Sequence, residues 1–129
     1  MFDQAKLAVV AYGEVSGDTG KSTRTNSGIA TTRLALGTYA LDLPVASQNQ
    51  IGLQQFSDRD LIFVQPLNAS APIAATAVND ANNTGPYGAA NAQTRKLVFT
   101  GSSATTAVDC DFSFLILRTL TPPTSDGPA

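Results

Sequence analysis

Two runs of this chain alternate side chains at the two-residue period of an extended strand, and they constrain the fold more than anything else in it. In residues 34–44, Tyr39, Leu41 and Leu43 fall on one face while Thr38, Ala40 and Asp42 fall on the other. In residues 108–118, Phe112, Phe114 and Ile116 oppose Ser113, Leu115 and Leu117. A strand must bury its apolar face against another layer. The segments between these runs are short, rich in β-branched residues and broken by Gly, Pro and Asn, which is the punctuation of an all-β chain.

Residues 7–15 read as a first strand leading into a Gly-rich turn at 16–20. Residues 24–36 supply one or two more strands, and Gly37 marks a turn or bulge. Residues 60–66 are apolar on both faces, the pattern of a central strand ended by Pro66. A weak strand at 72–78, a strand at 94–100 and a turn at 101–105 follow. Residues 45–59 fit either a short strand or a helical turn. No segment carries a convincing helical period. The expected fold is all-β: a single antiparallel β-sandwich over residues 1–118, jelly-roll-like, with 119–129 as an extended arm built on Pro122 and Pro123.

Composition narrows the chemistry. Charged residues make up 14% of the 129, against about 25% in an ordinary soluble domain, so the surface is neutral and costs little to desolvate against another protein. There is no His, no Trp and a single Glu, Glu14, which removes Ser-His-Asp and Cys-His machinery and the aromatic platform of a sugar site. The single Cys110 cannot form an internal disulfide, and its neighbours Asp109 and Asp111 disfavour a thiolate. The pairs Asp58/Asp60 and Asp109/Asp111 lack the spacing of a calcium loop and read as solvated strand ends. Residues 16–23 imitate the end of a phosphate-binding loop, but Val15 stands where that loop needs its first Gly. A polar turn between strands is the simpler expectation.

The eight Lys and Arg are scattered, with only Arg95 and Lys96 adjacent, so no nucleic-acid partner is expected. Neither a basic start followed by a long apolar region nor an apolar stretch of about 20 residues occurs, so neither export by a cleaved signal nor a membrane partner is expected. No catalytic, cofactor or metal site is assigned. The longest loop, 79–93, holds four Asn, two Gly and one Pro, and loops of that length are commonly functional. Asn82, Asn83 and Tyr87 in this loop, with Pro122 and Pro123 in the arm, are the candidate protein-interface residues. The Phe residues are assigned to the core, and Tyr39 is weighed as a lesser anchor than Tyr87.

Gly37-Thr38-Tyr39 followed by Leu41 and Leu43, and the closing Asp109-x-Asp111-Phe112-Ser113-Phe114-x-Ile116, resemble a pattern in virion proteins of tailed bacteriophages, whose small β-sandwich modules decorate capsids or cap tail fibres. The resemblance spans roughly residues 28–118. It implies a capsid cement (decoration) protein: made in the host cytoplasm, self-associated as a homodimer or homotrimer, bound to the major capsid protein on the outer capsid surface, and not an enzyme. A chain that starts at Met1 without a fibrous shaft fits that role better than the alternative, a receptor-binding module of a phage tail or head fibre.

Overall fold

The computed structural model describes residues 7–25, 29–43, 56, 60–80 and 94–119, and these form two antiparallel sheets packed face to face. The nine strands are β1 (Leu7–Val15), β2 (Ser22–Thr25), β3 (Ala30–Ala35), β4 (Thr38–Asp42), β5 (Leu61–Leu67), β6 (Ala74–Asn79), β7 (Arg95–Ser103), β8 (Thr106–Ala107) and β9 (Asp111–Thr119). The first sheet has the order β2-β1-β9-β5, and the second has the order β3-β4-β7-β6 with β8 paired to β7. The chain passes between sheets from β2 to β3, from β4 to β5, from β5 to β6 and from β8 to β9. The expected β-sandwich is the fold this chain adopts.

The alternation read in the sequence sets what lies between the layers. Phe112, Phe114 and Ile116 of β9 point inward with Val10, Ala11 and Val15 of β1, and they meet Tyr39, Leu41 and Leu43 from β4 and its end and Val98 from β7. Ile29 and Phe56, from connecting segments, complete the buried cluster. The Tyr39 and Phe112 rings sit 5.1 Å apart and tilted by 56°, a favourable geometry for two aromatic quadrupoles.

A bulge corrects the phase of β1. Val9 pairs with Leu117 but Ala11 pairs with Ile116, so Val10 is an extra residue on that strand. Before the bulge Leu7 and Val9 face outward; after it Ala11, Gly13 and Val15 face inward. If Val10 instead took a regular place opposite Ile116, every later residue of β1 would shift by one and turn its small and apolar side chains to solvent.

Two expectations change. Among the described residues, 60–66 do not make a central strand: β5 pairs there with β9 alone and lies at the edge of the first sheet, with Ile62 and Val64 toward the core and Leu61 and Phe63 on the outside. Pro66 lies within β5 rather than ending it, which an edge tolerates because one side of the strand has no ladder to supply. The Phe residues also divide. Phe56, Phe112 and Phe114 are core, whereas Phe63 and Phe99 are exposed on opposite outer surfaces. The strand expected at 94–100 continues through Ser103, and β9 runs one residue past its expected end.

Phe114 is 3% exposed and packed among inward-facing side chains of both sheets. Phe114→Ala is expected to cost about 3–5 kcal/mol of stability in urea denaturation. A loss under about 1 kcal/mol would show that its neighbours do not depend on the ring.

Candidate interaction surfaces

One end of the sandwich is closed by a polar knot around Tyr39. Its hydroxyl accepts the Cys110 N–H at 3.2 Å, and its proton faces the Gly17 carbonyl at 3.0 Å and Asp109 Oδ1 at 3.1 Å. Asp109 Oδ1 also accepts the Gly37 N–H at 2.7 Å, and Oδ2 takes Arg33 through Nε at 3.0 Å and Nη2 at 2.9 Å. Two residues on, Asp111 accepts the Gly17 N–H at 2.7 Å and the Asn68 side-chain amide at 3.1 Å. Asp109 and Asp111, two of the four carboxylates expected to be solvated strand ends, are therefore structural acceptors, as is the buried Asp60.

The sequence permits this knot locally. Gly37 sits at φ +66°, in the two-residue turn between β3 and β4, where a side chain would be strained and would meet the Thr100 carbonyl. Gly17 lies so close to the Cys110 backbone that a Cβ would stand 2.5 Å from it. Residues 16–20 form the expected polar turn, with Ser16 and Gly20 joined by a 2.8 Å backbone bond.

The knot holds its own titration. Burial alone would raise the Asp109 carboxyl, but the bonds from Arg33, Gly37 and Tyr39 outweigh it and leave the group below the ordinary carboxylate value. Burial also raises the Tyr39 phenol and the Cys110 thiol, so the thiol favours its protonated form. Cys110 is buried and its Sγ donates to the Leu67 carbonyl at 3.5 Å.

Charges at the opposite end are also used internally. Asp60, whose side chain is fully buried, takes a two-pronged contact from Arg118 at 2.7 and 3.0 Å and lies 3.6 Å from Lys96 Nζ. Lys96 projects inward from β7, donates to Asn79 and sits 5.2 Å over the Phe56 ring. Arg95, its neighbour, pairs with Asp42 across the β4–β7 register at 2.7 and 2.9 Å. The one adjacent cation pair of the chain is thus spent on internal carboxylates. Among the described residues no group of three or more His, Cys, Asp or Glu is placed to hold a metal ion, and no helix is long and apolar enough to cross a membrane.

What the sandwich offers outward is apolar. On the first sheet, Val9, Leu117 and Leu61 form one row across β1, β9 and β5, and Tyr12, Leu115 and Phe63 form the next. Leu7, Val9, Tyr12, Leu61 and Phe63 are each about half exposed, from 45% to 55%. The following row, Glu14, Ser113 and Gln65, is polar. On the second sheet Leu97, Phe99 and Val78 face outward, and Phe99 lines a groove of ≈560 Å³ with Thr38, Thr76 and Ala107. Leu34 and Leu36, 45% and 54% exposed at the end of β3, lie at the same sheet's edge.

Tyr87, Asn82, Asn83, Pro122 and Pro123, the interface candidates from the sequence, lie outside the described residues, as does Asp58. Tyr39 is a core residue rather than an anchor. Sequence alone does not separate an apolar outer face from a buried one, so a strand apolar on both faces predicts burial on both and the outward rows escape it. The signal was present in residues 7–12 and 60–66. No known protein family, no curated protein and no solved structure matches the chain.

Tyr39→Phe is expected to cost about 1–3 kcal/mol, because the Cys110 N–H loses its acceptor inside the fold; chemical denaturation measures it. The bonds to Asp109 stabilise the fold above the unfolded carboxyl value near pH ~3.9 and are lost as pH falls through the lowered folded value. Asp109→Asn should therefore flatten the dependence of stability on pH in that acid window, measured by urea titration at a series of pH values.

Proposed function

We propose that this protein is a structural virion component that decorates and stabilises a bacteriophage capsid by bridging capsid subunits. The observation that carries this reading is the pair of outward apolar surfaces on opposite sides of one sandwich, centred on Phe63 and Phe99. A module that only folds has no use for two such surfaces, whereas a module that joins bodies needs at least two. The resemblance of residues 37–43 and 109–116 to phage virion sandwiches names the kind of body.

The mechanism is passive. Contact with the shell favours the assembled state by mass action, and many weak copies on one lattice gain through avidity. The major capsid protein is the partner, and the outer capsid surface is the place of action. The low charge of the chain suits this work, since apolar and amide surface is desolvated more cheaply than charge. The arm at 120–129 adds contact beyond the sandwich.

Purified particles test the proposal. The protein is expected in copy number comparable with the major capsid protein; absence from virions would overturn the reading, and a small fixed number at the tail would replace it with a receptor-binding module. Deleting residues 120–129 should lower occupancy on particles while leaving the isolated fold intact. Phe99→Asp, on a side chain 40% exposed, should likewise reduce binding to undecorated particles without unfolding the protein, as followed by co-sedimentation and circular dichroism.

A further inference from the structure

We infer that the outer face of the first sheet binds a second copy of this chain, packed sheet on sheet about a two-fold axis that runs along β9. The argument begins with the arrangement of side chains around that strand. In one row the aliphatic Val9 and Leu61 flank Leu117; in the next the aromatic Tyr12 and Phe63 flank Leu115. Across β1, β9 and β5 the face is therefore matched in size and kind on either side of β9, with β2 and its Arg24 beside Glu14 lying beyond it. Turning a second copy about an axis along β9 lays β1 of one over β5 of the other. Val9 then meets Leu61, Tyr12 meets Phe63, and Leu115 and Leu117 meet their own copies at the axis. A surface that complements itself under one rotation has the layout of an isologous dimer.

Polar groups agree with this packing. The same rotation sets Glu14 of one copy over Gln65 of the other, an acceptor facing an amide donor, and brings no like charges together. A rotation about an axis across the strands would instead press the Glu14 row onto the apolar rows. Area agrees too. Five half-exposed side chains present roughly 500 Å² of mostly apolar surface, taking about 150–250 Å² for a whole large side chain. That is the centre of a standard interface of about 800 Å² per partner, with the Glu14–Gln65 row as part of its rim.

Among the described residues, the edges of the first sheet are poor alternatives. β5 carries Pro66 and β2 has only four residues, so neither offers a long ladder for a neighbouring strand. The face is the better surface for a second copy. This assignment rests on the joining role proposed above only in leaving the Phe99 surface for the shell. Dimerisation itself is measured without any capsid.

Sedimentation velocity of the full chain at micromolar concentration is expected to show a dimer. Phe63→Asp and Tyr12→Lys, each on a side chain half exposed in the single copy, should each weaken it by more than ~100-fold, because a charge is then buried against an apolar partner. Mixing the two variants should restore a one-to-one dimer, since the introduced acid and base face each other across the axis. In a Cys110→Ser background, Leu115→Cys should cross-link to itself with a short bis-maleimide. This near-native variant decides the matter if the charged ones fail to fold. A monomeric wild type, a dimer or trimer indifferent to both charges, a mixture that stays monomeric, or Leu115→Cys chains that do not cross-link would each overturn the assignment. Wild-type dimers that ignore particles would overturn the capsid role alone.

Discussion

A single phenolic hydroxyl, that of Tyr39, fastens three separate parts of the chain at one end of the sandwich. Its ring lies in the core against Phe112, and its oxygen reaches the turn after β1 through Gly17 and the segment before β9 through Cys110 and Asp109. Asp109 carries the connection on to Arg33 and to the β3–β4 turn at Gly37. Apolar burial drives the two sheets together without direction. The knot supplies direction, because each buried donor and acceptor here has a partner only when all of these segments are in place.

A second polar cluster works at the far end, and it differs in kind. Lys96 belongs to the second sheet, while Arg118 and the residue preceding β5, Asp60, belong to the first. Their contact crosses the sandwich as an ion cluster rather than as a hydroxyl bond. Burying such charges is expensive, and removing one member typically costs about 3–5 kcal/mol because the others lose their compensation. Between the two polar ends lies the apolar cluster of Val10, Tyr39, Val98, Phe112, Phe114 and Ile116.

Much of the sandwich was legible in the alternation of the sequence. The inward sets Tyr39/Leu41/Leu43 and Phe112/Phe114/Ile116 are those that period two selects, and the first strand at residues 7–15 coincides with β1. Residues 60–66 misled because an apolar outer face and a buried one look the same in one dimension; only the pairing of β5 with β9 alone separates them. The partners Arg33–Asp109, Arg95–Asp42 and Arg118–Asp60 are 76, 53 and 58 residues apart, so no local pattern could announce them. Alternation thus marks which side chains of β4 and β9 go inside, while the strand pairing decides that Phe63 and Phe99 lie on a surface.

That internal use of charge has a consequence for how the protein meets other bodies. Arg33, Arg95, Lys96 and Arg118 are each held by a carboxylate of the same chain, so little of their field reaches past the surface. These four cations therefore add little to the long-range steering of a partner. In return, rising ionic strength would remove little from contacts made through the apolar outer faces. The joints proposed for this molecule would hold through changes of osmotic and saline surroundings that loosen assemblies built on exposed ion pairs.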